Sequence, residues 1–362
     1  MSNIPEILIN SAGHPVNTYE QWTSRRDEIA HTLACEVFGF SPDPSRYSVA
    51  FAVEDERTWL DGLATYRKIR ISVAAELGVY SFPMVLSTPV GATAPCPVFL
   101  HITNRFPSSQ TPYEPVDDFC DVRGLISNSF ASAMFYTADV SPDADGQLGK
   151  GICGVFERTD SPSEWNTIAA WAFGASRCMD YLAQSGLVDA SRVALIGHSR
   201  AGKTALWAGC RDPRFAMIIA NESGCTGAAL ERGKIGETTE KINGYFPYWF
   251  CEKYKSYNGK PDEMPFDFHW LVASSAPRPV CISSAAEDLW ADPSAEYRSC
   301  YLASKVYDML GLRGGIDNPA LPEAGTHLME GYISYHIRAG EHDLNSIDWD
   351  CFVKAAKTYF EM

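Results

Sequence analysis

The heptapeptide Gly197-His198-Ser199-Arg200-Ala201-Gly202-Lys203 constrains this chain more than any other segment. It follows the short apolar run Arg192-Val193-Ala194-Leu195-Ile196 and leads into Thr204-Ala205-Leu206-Trp207-Ala208-Gly209, which reads as a helix. A serine on a sharp strand-to-helix turn stands exposed at the end of a sheet, where it can act as a nucleophile. Such a turn is strained and admits only small neighbours. Gly197 lies two places before Ser199 and Ala201 two places after it. The second glycine of the usual G-x-S-x-G pattern is one place late, at Gly202. An ordinary tight strand–helix connection has a similar composition, so the rest of the chain has to decide.

With 362 residues the chain has room for one large α/β domain or two small ones. No repeat, low-complexity tract or linker interrupts it, which predicts a single domain over 1–362. Within it, residues 1–90 are read as an N-terminal helix and antiparallel strands packed onto the rest. Thr18 to Phe38 reads as a helix ending before Gly39. Thr65 to Val73 and Val79 to Val90 carry β-branched residues in partial alternation, with Leu77-Gly78 between them, which predicts a hairpin. Pro97 to Ile102 and Ala131 to Tyr136 read as buried strands, and Trp165 to Gln184 has helical spacing. Three more apolar runs follow the elbow: Met217 to Ala220, Pro279 to Ile282 and Ile333 to Ile337. Strands alternating with helices imply an α/β fold, a three-layer αβα sandwich with a mostly parallel central sheet. Ligands in such sheets bind beyond the carboxyl ends of the strands.

Composition removes several functional classes. A net charge of −15 argues against a nucleic-acid binder, which needs a basic footprint, and against an anionic membrane surface. No apolar stretch approaches the length of a membrane span. The eleven cysteines include no C-x-x-C pair and sit in apolar contexts, so buried free thiols in a reducing compartment are expected, and no metal. Met1-Ser2-Asn3-Ile4 shows no basic lead into an apolar stretch, hence no signal peptide is read there. The compartment stays undetermined, since a catalytic domain cut from a precursor starts in the same way. A monomer without cofactor is expected.

Four segments place reactive groups just past an apolar run. Ser199 follows the first and Glu222 the second. Asp288 follows the third, and His342, in Arg338-Ala339-Gly340-Glu341-His342-Asp343, the last. Serine, acid, histidine is the chain order of the α/β-hydrolase triad. Ser199 needs a base, because a free hydroxyl is a weak nucleophile at neutral pH. His342 is placed best for it, with His269 the runner-up. A carboxylate must hold the other ring nitrogen, and both Glu222 and Asp288 qualify, so shared work between them is expected. The backbone N–H of Arg200 is positioned for an oxyanion hole, with its guanidinium as a second contributor. Lys203 lies one turn from Ser199 on the same helix face, suited either to a substrate's polar groups or to a surface ion pair. Trp290 beside Asp288 suits sugar stacking or plain core packing.

These motifs resemble those of the glucuronoyl esterases, carbohydrate esterase family 15. Ser199-Arg200-Ala201-Gly202-Lys203 is similar to the family's G-x-S-R-x-G-K signature. The likeness continues through Asn221-Glu222-Ser223-Gly224-Cys225, Gly236-Glu237-Thr238, Ile242-Asn243 and Phe246 to Phe250. It then runs through Ala276 to Pro279, Glu287 to Pro293, and Tyr335 to Asp343, covering roughly residues 90 to 360. His198 is similar to bacterial members, where fungal ones carry a disulfide cysteine. His101-Ile102-Thr103-Asn104-Arg105 departs from the family's usual form. The resemblance implies a metal-free serine esterase that cleaves esters joining 4-O-methyl-glucuronic acid on xylan to lignin alcohols, in a family whose members are usually secreted or periplasmic. It implies Ser199 as nucleophile, His342 as base and Arg200 as oxyanion stabiliser. Lys203, Glu237 and Trp290 would hold the uronate, and members differ in whether Glu222 or Asp288 supplies the acid. The rivals are an acetylxylan or general carboxylesterase and a carbohydrate-binding protein without turnover.

Overall fold

The computed structural model describes residues 4–105, 113–114 and 117–362; of the N-terminal stretch read for a signal peptide, Met1-Ser2-Asn3 lie outside them. The strands are β1 (Ser48–Trp59), β2 (Ala64–Ala75), β3 (Gly78–Pro89), β4 (Cys96–Thr103), β5 (Ala131–Tyr136), β6 (Val188–His198), β7 (Met217–Asn221), β8 (Val280–Ala285), β9 (His327–Leu328) and β10 (Ile333–Arg338). They form one sheet in the order β1-β2-β3-β5-β4-β6-β7-β8-β10-β9. From β5 through β4, β6, β7 and β8 to β10 every pairing is parallel. The pairings of β1 with β2, β2 with β3, β3 with β5 and β9 with β10 are antiparallel.

The helices are α1 (Tyr19–Leu33), α2 (Val122–Ser127), α3 (Thr137–Val140), α4 (Thr167–Ser185), α5 (Arg200–Arg211), α6 (Thr239–Tyr245), α7 (His269–Ala273), α8 (Pro293–Met309) and α9 (Ser346–Tyr359). Successive residues of a strand face opposite sides of a sheet, and here both sides are apolar. Val98, Leu100, Ile102 and Leu195 belong to a core shared with α1, α4, α5, α7 and α8. Phe99, Ala194, Ile196 and Ile219 belong to a second core shared with α2 and α9. The result is the three-layer sandwich expected from the alternation of apolar runs with helices. Among the described residues no helix is long and apolar enough to cross a membrane.

Helix α1 opens on Thr18, whose side chain accepts from the Gln21 N–H at 3.2 Å. The chain continues through a wider turn, Ala34–Phe38, to Gly39 at φ 83°. A Cβ there would lie 2.4 Å from the Cα of Trp165, so this helix end needs glycine. The β2–β3 hairpin forms as read. Strand β1 was not apparent in the sequence: Val53-Glu54-Asp55-Glu56-Arg57 carries the charge that protects an exposed edge strand. All eleven cysteines are free, and eight of them are buried.

Candidate active site

Strand β6 ends at His198, and Ser199 turns the chain at φ 58°, ψ −123° before α5 begins at Arg200. Its N–H donates to the Asn221 carbonyl of β7 at 2.9 Å, and its carbonyl accepts from the Gly202 and Lys203 N–H groups. A Cβ on Gly197 would stand 2.1 Å from the Ala201 carbonyl oxygen, so the first glycine of the elbow is sterically required. The late second glycine has a different task. A Cβ on Gly202 would lie 3.0 Å from the Ser223 Cβ and 3.2 Å from the Asn221 carbonyl oxygen, so Gly202 lets α5 pack closely on the end of β7. Alanine is small enough for position 201.

The ends of β7, β8 and β10 bring both candidate acids to one imidazole nitrogen. Nδ1 of His342 lies 2.6 Å from Asp288 Oδ2 and 3.1 Å from Glu222 Oε2. Asp288 also accepts from the Ala291 N–H at 3.1 Å. Glu222 sits at φ 47° with its carboxylate fully buried. Its Oε2 also takes the Asp343 N–H at 3.0 Å and its Oε1 the Arg338 guanidinium at 2.5 Å. Burial alone would lower the His342 pKa, but hydrogen bonds and charge from Asp288 and Glu222 outweigh it and push the value up to about 9. Burial tends to raise Asp288, yet the His342 hydrogen bond and charge hold it below the usual carboxylate range. For Glu222 burial wins, and its pKa is raised despite His342 and Arg338. Asp288, closer and more readily ionised, is the stronger partner of the ring.

His198 packs against His342 with ring centroids 4.4 Å apart and bonds Asn221 Oδ1 through Nδ1 at 2.5 Å. Burial, then the neighbouring His342, drives its pKa well below the usual value. His198, Glu222 and His342 place nitrogen and oxygen atoms within 4.8 Å of one another, the spacing of a metal site. Those groups are already engaged by Asn221, Arg338, Asp288 and the Asp343 N–H, a set suited to bracing an imidazole. The runner-up histidine is elsewhere: His269 is buried on α7 with Nε2 3.1 Å from the Pro5 carbonyl oxygen, a structural contact to the N-terminal segment.

Ser199 and His342 line a cavity of about 220 Å³ together with Arg200, Lys203, Glu222, Glu237, Phe246, Trp249 and Trp290. Lys203 is not in a surface ion pair. Its Nζ donates to the Ser223 carbonyl at 2.6 Å and to Glu237 Oε2 at 3.2 Å, and the two side chains are only 5% and 7% exposed. Trp290 is 45% exposed at the rim rather than packed in the core. The Arg200 guanidinium lies over the rings of Phe246 and Trp249 and is tethered to Asp143, which also accepts from Tyr248 Oη and Trp249 Nε1. Asp143 carries no sequence signal, since it sits in an irregular loop after α3. Ser223 and Arg338 lie inside longer motifs and carry no separate sequence signal.

An elbow serine, an imidazole braced by carboxylates and a doubly covered parallel sheet are the arrangement of an ester hydrolase of the α/β-hydrolase class. The family model described as "Glucuronyl esterase, fungi" matches residues 71–311. The chain belongs to the glucuronoyl esterases, carbohydrate esterase family 15. It is similar to a solved glucuronoyl esterase from Solibacter usitatus at 34% identity and TM-score 0.89, covering 99% of this chain and 98% of that one. It is 35% identical to a carbohydrate esterase from an unknown prokaryotic organism, over 98% of this chain and 88% of that protein. It is 26% identical to a 4-O-methyl-glucuronoyl methylesterase from Schizophyllum commune, over 90% of this chain and 77% of the relative.

Proposed function

We propose that this protein hydrolyses glucuronoyl esters, in which the carboxyl of (4-O-methyl-)glucuronic acid on xylan is esterified to a lignin alcohol, through an acyl-enzyme on Ser199. The observation that carries the reading is the buried Lys203–Glu237 pair in the same small cavity as Ser199 and His342, with Trp290 at its rim. Cation, carboxylate and indole together offer hydrogen bonds to sugar hydroxyls and a face for the ring. An acetyl group has nothing to engage them. The names of relatives such as the Schizophyllum commune methylesterase agree with this chemistry.

In the reaction His342 takes the Ser199 proton as the hydroxyl attacks the ester carbonyl. The negative charge that develops on the carbonyl oxygen is met by the Arg200 N–H and guanidinium. Asp288 and Glu222 stabilise the imidazolium. The C–O bond to the alcohol then breaks and His342 returns the proton to the leaving oxygen. Water, deprotonated by His342, attacks the acyl-enzyme and releases the uronic acid with Ser199 restored.

The test compares kcat/KM on a glucuronate methyl ester and on acetylated xylan, for the wild type and for Lys203→Met/Glu237→Gln. Changing both partners leaves no lone buried charge. The wild type is expected to prefer the glucuronate ester. The double variant should lose about 10²- to 10³-fold on it and stay within about threefold on a small acetyl ester. Preference for acetylated xylan, or equal losses on both esters, contradicts the reading.

A further inference from the structure

Behind Glu222 lies a buried group that the reaction scheme leaves without a task. Arg338, the last residue of β10, has its guanidinium inside the protein. Its Nη2 donates to Glu222 Oε1 at 2.5 Å and to the Asp343 carbonyl at 2.7 Å. Its Nε donates to Asp348 Oδ2 at 2.9 Å and its Nη1 to the Ala339 carbonyl at 3.2 Å. Ala339 and Asp343 bracket the loop that carries His342. Asp348 in turn holds His336 Nε2 at 2.7 Å and completes the capping box at the start of α9. One planar fork therefore ties the end of β7, the histidine loop and the N-terminus of α9 together.

We infer that Arg338 is a positioning residue for ester hydrolysis: it keeps Glu222 charged and aimed at Nδ1 of His342 while pinning the loop that carries this histidine. The inference rests on the reading of Ser199, His342 and the two acids given above. A buried carboxylate without its cation takes up a proton or moves. Glu222 Oε2 receives two donors, the His342 ring and the Asp343 N–H, and a neutral carboxyl accepts both more weakly. Without Arg338 the imidazolium would depend on Asp288 alone. The effect of Arg338 on catalysis should thus run through Glu222, and the two should behave as one unit.

The experiment measures kcat/KM against pH on a glucuronate methyl ester for the wild type, Arg338→Met, Arg338→Lys, Glu222→Gln and Arg338→Met/Glu222→Gln. Charged and titratable groups facing this pair are Asp288, His342, Asp343 with its partner Arg105, Asp348, His336, Glu296 and His198. They stay unchanged throughout the series. Arg338→Met is expected to cost about 10- to 100-fold, mainly in kcat, and to move the His342 limb to lower pH. In the Glu222→Gln background the same change should cost less than about threefold. Arg338→Lys, which keeps the charge and loses the fork, should leave the limb near the wild-type pH while kcat falls. Multiplicative losses, or a lower kcat with an unmoved limb in Arg338→Met, overturn the inference. Should Arg338→Met not fold, Arg338→Lys/Glu222→Gln is added: wild-type kcat in Arg338→Lys, or a double variant whose losses multiply, overturns the inference, and a lowered kcat that falls little below Glu222→Gln in the double variant upholds it. Wild-type turnover, and its loss in Ser199→Ala, checks the underlying reading separately.

Discussion

Ser199→Ala is expected to lower kcat on a glucuronate ester by about 10⁴- to 10⁶-fold, the range for removal of a triad nucleophile. KM should change little, because Lys203, Glu237 and Trp290 are untouched and the lost hydroxyl is a single small group in a cavity of about 220 Å³. What remains should come from the oxyanion groups and binding alone. The variant should fold as the wild type does. The hydrogen bonds that shape the elbow are made by the Ser199 backbone, its N–H to Asn221 and its carbonyl to Gly202 and Lys203. Alanine keeps them, and its Cβ meets the same strain at φ 58° as serine does. Measuring kcat with matched thermal denaturation checks this. Near-normal turnover in a folded Ser199→Ala protein would remove Ser199 from the chemistry.

The second large effect concerns the two acids. Asp288→Asn and Glu222→Gln should each cost about 10- to 100-fold, and the double change should approach the roughly 10⁴-fold expected when a triad loses its acid. Asp288 should matter more of the two, because it is closer to Nδ1, at 2.6 Å against 3.1 Å, and is held in its ionised form. In the proposed reaction His342 takes the serine proton and must be neutral to do so, and its pKa is pushed up to about 9. The free enzyme's kcat/KM should therefore rise with pH and level off only above about 9, falling about tenfold per unit on the acid side. Each acid removed takes away one interaction that raises the ring pKa, so the limb should move to lower pH in both single variants. It should move furthest in the double one. A single variant that matches the Ser199→Ala loss would show that the acids do not share the work.

The parallel strands were legible because each is a short continuous apolar run buried on both faces, as in Ala131-Ser132-Ala133-Met134-Phe135-Tyr136. The charged edge strand β1 was not, since its residues answer to solvent rather than to a core. At the site, the serine, both acids and the histidine could be read as strand-end groups in triad order. That Glu222 and Asp288 meet at the same nitrogen depends on the adjacency of β7, β8 and β10, which no local pattern encodes. His269 competed with His342 in the sequence because position along the chain does not say what an imidazole touches. Its partner, the Pro5 carbonyl, lies more than two hundred residues away in the chain. For the same reason the Asp143 tether of Arg200 and the fork of Arg338 became visible only in three dimensions.

If one cavity joins ester chemistry to uronate recognition, the crystal structure of Ser199→Ala with a benzyl ester of glucuronic acid will show both at once. The ester carbonyl should lie beside residue 199 with its oxygen toward the Arg200 N–H, sugar hydroxyls on Lys203 and Glu237, and Trp290 against the ring. The His342 Nδ1–H should point at Asp288 and Glu222 together, completing this picture of the site. A sugar bound away from Lys203 and Glu237, or an ester carbonyl turned away from residue 199, would contradict it.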